Sequence, residues 1–200
     1  MNELLIATQN TGKIREIKEL LADTPIRVRT LREFENIIEP EETGATFAEN
    51  AVLKARYYAR KTGISALADD SGLEVASLDG APGVYSARYA GENATDDERI
   101  SKLLGELKAA GSKNRRAQFV CAMAIVNIDG VTECLTEGVC KGHLAFVPKG
   151  NNGFGYDPIF IPEGFAETFG ELSAEIKQEI SHRARAVSKM VGFLRDFVVV

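Results

Sequence analysis

The first segment whose residues could do chemistry follows a short apolar run near the start of the chain. Leu4 to Ala7 predicts a buried strand, and apolar residues at helical spacing from Ile14 predict a helix after a tight turn. A helix N-terminus offers unpaired backbone N–H groups and a partial positive charge, which together bind phosphate. The turn is not a Walker A loop, so phosphate binding and a plain helix cap with a solvent-facing lysine both stay open. Its residues are Thr8, Gln9, Asn10, Thr11, Gly12 and Lys13.

Four carboxylates, Glu41, Glu42, Asp69 and Asp70, form a second candidate site. The run from Ser65 to Ala68 predicts a strand that ends in Asp69-Asp70-Ser71-Gly72. Asp70 is therefore expected at the carboxyl end of the strand, where open α/β sheets place their ligands. Mg²⁺ prefers hard oxygen ligands and usually takes one or two carboxylates together with substrate phosphates. Neighbouring strand residues point to opposite faces, so one aspartate could enter a site while the other holds the loop. The alternative is an ordinary turn, since Asp-Asp-Ser-Gly is also good turn chemistry.

Two later segments carry aromatic and cationic side chains. In the Gly-rich run 153–158, Phe154 or Tyr156 could stack on a purine while the glycines let the backbone approach it. The alternative is a loop whose aromatic side chains fill the core. The run 181–183, Ser-His-Arg, is expected at a helix start, and Arg183 offers a fork of donors that suits a carbonyl oxygen or a phosphate. The alternative is an N-cap followed by exposed polar residues.

Three further features have simple structural explanations. Lys54 lies on a predicted helix, on the face opposite much of its apolar stripe, so solvent exposure is the simpler of its two possible interpretations. The same two interpretations, an exposed charge or a part of a site, stay open for Lys177. The spacing of Cys134, Cys140 and His143 matches no common structural zinc site, so we expect no zinc there.

Local signals predict an α/β fold. Capping boxes at Thr46 and Thr95 predict helices that run to about Thr62 and Ala109. Ser173 and Ser181 bracket two further helical segments, the second running to about Phe197. Long β-rich runs cover 117–128 and 131–146, and Asp129-Gly130 between them is a strong hairpin signal. Shorter strands are expected at 26–30 and 160–162, and a loop at 33–43.

Composition excludes several classes of protein. The chain has 200 residues, and 24 Lys and Arg against 29 Asp and Glu give a net charge of −5. This balance argues against the broad basic face of a nucleic-acid-binding protein or a basic membrane anchor. No apolar run approaches the roughly 20 residues that cross a bilayer, and we expect no signal peptide. Three cysteines among apolar residues predict free thiols in a reducing cytoplasm. We expect one domain, residues 1–200.

Taken together, these motifs resemble the inosine triphosphate pyrophosphatase family, the non-canonical purine nucleoside triphosphate pyrophosphatases. The resemblance covers about residues 4 to 195, and seven weak motifs in the same order are specific together. Val198 to Val200 lies outside the pattern. The matching segments are 8–13, Glu42-Thr-Gly-Ala-Thr-Phe47 with Glu49, Asn50 and Lys54, Ala68-Asp-Asp-Ser-Gly72, Gly80-Ala-Pro-Gly83, Ser86-Ala-Arg-Tyr89, Phe154-Gly-Tyr-Asp-Pro158 and Ser181-His-Arg183.

The resemblance implies a Mg²⁺-dependent enzyme that converts ITP, dITP and XTP to the monophosphate and pyrophosphate. It also implies a homodimer, for which an apolar surface at Val84–Tyr89 is a plausible place. The family's fold is an elongated, two-lobed α/β structure with a long mixed central sheet flanked by helices and an active site in the cleft between the lobes. Such an enzyme cleanses the nucleotide pool.

Residue roles follow from the same resemblance. Glu42 and Asp70 match the metal-linked carboxylates, and Asp70 matches the catalytic base that orients or deprotonates water, with Asp69 ranked lower as the residue that holds the loop. Donors from Arg183 and from loop backbone N–H groups would pair with a 6-oxo purine and leave the 6-amino group of adenine unpaired. The resemblance assigns substrate binding to Thr8, Gln9, Asn10, Thr11, Gly12, Lys13, Lys54, Ser71, Phe154, Gly155, Tyr156, Asp157, Lys177, His182 and Arg183.

Two other functions remain as alternatives. A Maf-like nucleotide pyrophosphatase would act on other modified nucleotides, but such proteins open with a Ser-x-Arg-Arg type of motif, whereas this chain opens with Thr-x-Asn-x-x-Lys. A non-catalytic nucleotide-binding protein would keep the pocket without activity, and the presence of Glu42, Asp70 and Lys13 argues against that loss.

Overall fold

The structure, a computed structural model, describes residues 2–35 and 37–198, with side chains described up to residue 195. These residues form six β-strands, five α-helices and four short 3₁₀ helices. The strands are β1 (Glu3–Ile6), β2 (Arg27–Thr30), β3 (Ala66–Val75), β4 (Arg116–Val126), β5 (Thr132–Leu144) and β6 (Phe160–Pro162). The helices are α1 (Thr11–Leu20), α2 (Phe47–Thr62), α3 (Asp96–Ala109), α4 (Ala174–Ile180) and α5 (His182–Val198). The end of the predicted apolar tail, residues 199 and 200, lies outside the described residues.

The six strands form one mixed sheet in the order β2-β1-β3-β4-β5-β6. β1 pairs in parallel with β2 and β3, and β5 pairs antiparallel with β6. The predicted hairpin between β4 and β5 is confirmed, because the N–H of Asn127 donates to the carbonyl of Val131 and Gly130 takes a positive φ of 84°. The predicted α/β class with a mixed central sheet and flanking helices is therefore confirmed. The expected position of the active site stays a prediction.

The helices begin where the capping residues predict. Thr46 and Thr95 each accept a hydrogen bond from the backbone of a glutamate three residues later, and that glutamate bonds back to the cap. Asn10 and Ser173 cap α1 and α4 in the simpler way, through one side-chain oxygen each. These caps satisfy backbone donors that a helix start otherwise leaves unpaired.

The chain folds into two compact units that share strands. The first unit contains the residues up to Asp70, Cys121–Gly138 and the residues from His182 onward. The second contains Ser71–Val120 and Val139–Ser181. No single cut in the sequence separates the two units, because both are built from separate stretches of chain. The prediction of one domain over the whole chain is not tested by this division and stays a prediction.

Each unit has its own apolar core. In the first unit, α1 and α5 pack buried side chains such as Ile17 and Met190 against Leu67 of β3 and Met123 of β4. In the second unit, aromatic rings dominate the core. The ring of Phe160 lies 4.6 Å from that of Phe119 and 5.4 Å from that of Phe169, centroid to centroid. Such pairs add about 0.5–1.5 kcal/mol each beyond the area that they bury.

The predicted end of the third strand is wrong. β3 continues through Asp69 and Asp70 to Val75 instead of ending in an Asp-Asp-Ser-Gly turn, so Asp70 lies inside a strand. The reason is close packing at Gly72, where an added Cβ would lie 2.4 Å from Ser86 Oγ and 2.5 Å from the carbonyl oxygen of Gly83. Ser86 Oγ also accepts the N–H of Leu73 at 2.9 Å. This glycine allows another backbone to approach the strand and does not form a turn.

Gly72→Ala should therefore destabilise the protein by about 1–3 kcal/mol, because the new methyl group overpacks the contact with Ser86 and Gly83. Gly105→Ala is the matched control. No atom lies within 4 Å of a Cβ built at Gly105 on α3, so alanine there should stabilise the helix by about 0.5–1 kcal/mol. Urea unfolding of both variants measures the two effects. A Gly72→Ala protein as stable as the parent would contradict the close packing.

The three cysteines are free thiols in different surroundings. Cys121 and Cys140 are buried and Cys134 is partly exposed. Burial, reinforced by nearby Asp69, raises the pKa of Cys121 to about 12. Among the described residues, no group of three or more His, Cys, Asp and Glu side chains could hold a metal ion. Within the same residues, no helix is long and apolar enough to cross a membrane.

We expect one thiol to react quickly with Ellman's reagent in the native protein at pH 8, and all three to react in denaturant. The thiolate is the reactive form, and its formation at Cys121 is disfavoured by the raised pKa. Burial of Cys121 and Cys140 also blocks access of the reagent to both sulfur atoms. Cys134→Ser should remove the fast phase. A fast phase of two or three thiols in the native protein would contradict the described burial.

Candidate active site

Asp69 is the centre of a buried ion-pair network in the first unit. Its Oδ2 lies 3.0 Å from Lys13 Nζ and 3.1 Å from Arg183 Nη2. The other terminal nitrogen of Arg183 pairs with Glu16 of α1. Arg183 is 1% exposed and Asp69 is 1% exposed, so these charges pair in a region of low dielectric. The network joins the start of α1, the middle of β3 and the start of α5.

Electrostatics at Asp69 favour the ionised form. Burial alone would raise its pKa, but Lys13 and Arg183 outweigh that effect and hold the pKa well below its usual range. For Arg183, burial would lower the pKa, and Asp69 and Glu16 raise it instead. The nearby charges thus decide both protonation states.

Asp70 points to a different set of partners, as expected for adjacent residues of a strand. Its Oδ1 lies 3.3 Å from Lys54 Nζ, and Glu42 Oε1 lies 2.6 Å from the same nitrogen. Its Oδ2 accepts a hydrogen bond of 3.1 Å from the side-chain amide of Asn50. Two carboxylates from separate segments therefore meet on one ammonium group. Glu41, the neighbouring carboxylate that was also a candidate, is exposed.

The pKa values of this second group are set by burial and by the neighbouring charges. Burial raises the pKa of Asp70, Glu42 adds to that effect, and Lys54 only partly offsets it. Burial would lower the pKa of Lys54, but Asp70, Asp69 and Glu42 together raise it. Asp70 is consequently a better proton acceptor than an ordinary aspartate, while Lys54 stays charged.

The predicted exposure of Lys54 is wrong. Lys54 is 5% exposed, because it lies three residues after Ala51 and therefore on the buried face of α2. That face points Lys54 toward Glu42 and Asp70 and not toward solvent. The charge is stabilised there by its two carboxylate partners, since an unpaired buried ammonium group would be very costly.

The turn before α1 is formed as the sequence predicts. Asn10 caps the helix by accepting the N–H of Lys13 at 3.1 Å, and its own N–H donates to Thr8 Oγ1 at 3.2 Å. The helix start is accessible, because Gln9, Asn10 and Thr11 are exposed and Gly12 is partly so. The alternative of a solvent-facing Lys13 is wrong, since its ammonium group contacts Asp69 and its side chain is only 15% exposed. An exposed helix start and a lysine thus occur together at this turn.

The Gly-rich run in the second unit is an ordered loop held by two carboxylates. Asp157 Oδ2 accepts the N–H of Phe154 at 2.8 Å and pairs with Lys177 Nζ at 2.6 Å. Asp96 of α3 accepts the N–H of Gly155 at 2.7 Å. A side chain at Gly153, where φ is +76°, would also collide with Asp157, since its Cβ would lie 2.0 Å from Oδ2. Asp157 therefore shapes the loop.

The two aromatic candidates of this loop differ in exposure. Tyr156 is 4% exposed, and its hydroxyl donates to the carbonyl of Ser86 at 3.0 Å, so it fills the core. Phe154 is partly exposed, and Lys177 Nζ lies 4.7 Å from its ring centroid, within cation–π range. Phe154 is thus the aromatic side chain available for stacking.

The remaining candidates are placed as follows. Ser71 lies in β3, partly buried. Ser181 ends α4 and His182 begins α5, and both are buried, at 3% and 5% exposure. The predicted roles of these residues in substrate binding are not tested by these positions.

The sequence profile of the Ham1 family matches residues 4–193, which is nearly the whole chain. The chain belongs to the Ham1 family. It is 46% identical over 201 residues to a dITP/XTP pyrophosphatase of Coxiella burnetii, covering 100% of both chains. It is 50% identical over 189 residues to a dITP/XTP pyrophosphatase of a Nostoc species, covering 94% of this chain and 92% of that one. The family that the sequence motifs predicted is confirmed.

Solved structures of family members have the same fold. A HAM1 protein from Coxiella burnetii superimposes with a TM-score of 0.90 at 46% identity, covering 98% of this chain and 100% of that chain. A nucleoside-triphosphatase, dITP/XTP pyrophosphatase, from Mycobacterium abscessus superimposes with a TM-score of 0.73 at 38% identity, covering 99% of both chains.

The residues around Lys54 fit a magnesium ion. Glu42 and Asp70 supply hard carboxylate oxygens that converge on one positive charge. Two carboxylates, with substrate phosphates and water, form the ligand set that Mg²⁺ commonly takes. Both side chains are oxygen donors, whereas softer metals favour Cys and His.

Two residues of the site received no role from the sequence, although Asn50 lies in one of the matching motifs. Glu16 lies one helical turn after Lys13 on α1, so the i, i+3 spacing could have placed it on the same face. Asn50 lies four residues before Lys54 on α2, and the same reasoning applies. Neither residue shows its role by type alone, because their partners, Arg183 and Asp70, are distant in sequence.

Proposed function

We propose that the protein hydrolyses the non-canonical purine nucleotides dITP, ITP and XTP to the monophosphate and pyrophosphate. Membership of the Ham1 family and relatives named dITP/XTP pyrophosphatase support this activity. The observation that carries it is the meeting of Glu42 and Asp70 on Lys54, which places two carboxylates and a cation together. This is a set suited to phosphoryl chemistry.

We propose that Glu42 and Asp70 hold the metal ion, Mg²⁺. Bound there, it would supply positive charge to the phosphates and make a bound water more acidic. Lys13, Lys54 and the N–H groups at the start of α1 bind the triphosphate, together with the side chains of Thr8, Gln9, Asn10, Thr11 and Ser71. The arrangement explains how a chain with a net charge of −5 can bind a polyanion: the cations are local.

The reaction in this proposal is attack by water at the α-phosphorus. Asp70 orients the water and accepts its proton as the new P–O bond forms. The bond between the α-phosphorus and the bridging oxygen breaks, and pyrophosphate leaves with that oxygen. Positive charge from Mg²⁺ bound beside Asp70 would favour its ionised form, which is the form that accepts a proton.

Purine selection is assigned to the Phe154–Asp157 loop, Lys177, His182 and Arg183. Phe154 stacks on the base, and N–H donors pair with the 6-oxo group of hypoxanthine or xanthine. Adenine presents a 6-amino donor instead, and each unsatisfied buried polar group costs about 1–3 kcal/mol. Arg183 pairs with Glu16 and Asp69 in this structure, so a contact with the base competes with these two carboxylates.

We also propose that the enzyme is a cytoplasmic homodimer that binds neither nucleic acid nor membrane. The free cysteines support a reducing compartment. At the suggested dimer surface, a 3₁₀ turn covers Gly83–Arg88 and Tyr85 is 60% exposed. Sedimentation analysis of the parent protein and of Tyr85→Asp tests both the dimer and its location.

The experiment that tests the function is pyrophosphate release with Mg²⁺ and a panel of triphosphates. We expect kcat/KM for dITP, ITP and XTP to exceed that for ATP and GTP by about one to two orders of magnitude per rejected contact. Guanine also carries a 6-oxo group, so its rejection is assigned to the Phe154–Asp157 loop and His182, which would crowd its 2-amino group or leave it unpaired. Addition of EDTA should abolish the activity. Equal rates with all purines, preference for pyrimidine or other modified nucleotides, or no pyrophosphate release would contradict the proposal.

A further inference from the structure

One buried side-chain amide links Asp70 to the segment that carries Glu42. Asn50 is 0% exposed on α2. Its Nδ2 donates to Asp70 Oδ2 at 3.1 Å, and its Oδ1 accepts the backbone N–H of Gly44 at 2.7 Å. Gly44 lies two residues after Glu42, so a single side chain contacts both the strand residue and the segment next to the second carboxylate.

Only an amide provides both bonds at this place. An Asn side chain has a donor and an acceptor at fixed positions, whereas a carboxylate lacks the donor and an alkyl group lacks both. Because Asn50 takes Oδ2 of Asp70, the other oxygen, Oδ1, is directed at Lys54 Nζ, which also contacts Glu42. The hydrogen bond thus sets how the Asp70 carboxylate is turned.

The contact with Gly44 leaves no room for a side chain. A Cβ at Gly44 would lie 2.6 Å from Asn50 Oδ1 and 3.0 Å from the backbone nitrogen of Asn50. The second distance involves backbone of α2, which the Thr46–Glu49 capping box holds in place. Any larger residue at position 44 would therefore push the Glu42 segment away from the helix.

We propose that Asn50 is a positioning residue for the hydrolytic reaction. It holds Asp70 and the Glu42 segment in the relative arrangement that binds the metal and acts on water, without touching the substrate. Residues that orient metal ligands in this way typically affect metal affinity by about 10- to 100-fold. The inference rests on the proposed function and assigns one more residue to the same site.

Asn50→Ala tests the proposal with two readouts. We expect kcat for dITP to fall about 100-fold while KM changes less than about threefold, because a misplaced catalytic group slows chemistry more than binding. Calorimetric titration of the substrate-free variant with Mn²⁺ should show an affinity for the metal about tenfold weaker than that of the parent. A purely structural residue would not lower metal affinity in a protein that is still folded.

Asn127→Ala is the matched control. The side chain of Asn127 makes three hydrogen bonds, to Asp129, Val131 and Glu133, and all three partners belong to the hairpin of β4 and β5. The substitution should lower the melting temperature and leave kcat and Mn²⁺ affinity within about twofold of the parent. Activity is assayed well below the melting temperatures of both variants.

Gly44→Ala breaks the same link from the other side and covers the case in which Asn50→Ala fails to fold. It should lower kcat about tenfold, because the added methyl group collides with Asn50 Oδ1 and with the backbone nitrogen of Asn50 and displaces the Glu42 segment. Near-parental kcat and Mn²⁺ affinity in either folded single variant would overturn the inference. If the parent protein itself releases no pyrophosphate, the proposed function fails, and the Mn²⁺ affinities of the variants still test whether Asn50 positions Asp70 and the Glu42 segment.

Discussion

Asp70→Asn lowers kcat with dITP by about a thousandfold in the present account, with a smaller change in KM. The substitution keeps the size of the side chain and removes its negative charge and its capacity to accept a proton. General-base catalysis alone contributes about 10²- to 10⁴-fold, and loss of one metal-linked carboxylate adds to it. Lys54 keeps Glu42 as a partner at 2.6 Å, so we expect the fold to survive.

Steady-state kinetics and a melting curve, run on the same preparation, check this prediction. Asp129→Asn is the control, because Asp129 is an exposed carboxylate at the turn between β4 and β5. It should have parental kinetics. An Asp70→Asn enzyme with turnover near that of the parent would remove Asp70 from the reaction.

Arg183→Met should lower the free energy of unfolding by about 3–5 kcal/mol. Methionine fills similar space but leaves two carboxylates, Glu16 and Asp69, without the guanidinium that now pairs with both. Removal of one partner from a buried ion pair is costly in this range, because the other charge stays in a medium of low dielectric. Lys13 remains 3.0 Å from Asp69 and limits the loss.

The effect should depend on pH in a definite direction. The folded pKa of Asp69 lies below its usual value, so its contribution to stability is present above the unfolded pKa of about 3.9 and is lost as pH falls through the folded pKa. The difference in the free energy of unfolding between the parent and Arg183→Met is therefore largest near pH 7 and becomes smaller at strongly acid pH. Denaturant unfolding at several pH values measures it. Arg185→Met, which replaces an exposed arginine of the same helix, serves as the control.

An Arg183→Met protein within 1 kcal/mol of the parent at pH 7 would show that the ion pairs contribute little, since about 3–5 kcal/mol is expected. The same variant also tests base recognition. If its preference for ITP over ATP is unchanged while its stability falls, Arg183 acts on Asp69 and Glu16 and does not contact the purine.

Local rules explain which parts of the fold were predictable from the sequence. The caps at Thr46 and Thr95 and the Asp129-Gly130 turn act through bonds within a few residues, so their elements were predicted nearly to the residue. The end of β3 was predicted wrongly, because it depends on the contact of Gly72 with Ser86 and Gly83, which are more than ten residues away in the sequence. Turn-forming residues in a strand cannot reveal such a contact.

In the site, too, local features were predicted from the sequence and features that depend on distant contacts were not. Adjacent aspartates on a strand were expected to face different partners, and Asp69 and Asp70 do so. The burial of Lys54 and the engagement of Arg183 were missed, since each depends on carboxylates brought close only by the fold. Charged residues read from sequence are taken as exposed unless a partner is known.

Hydrolysis of dITP in ¹⁸O-labelled water shows which phosphorus atom the water attacks. Mass spectrometry of the products locates the label. Attack at the α-phosphorus, with Asp70 accepting the proton, predicts one ¹⁸O atom in dIMP and none in pyrophosphate. Label in pyrophosphate, or release of inorganic phosphate as the first product, would contradict the account.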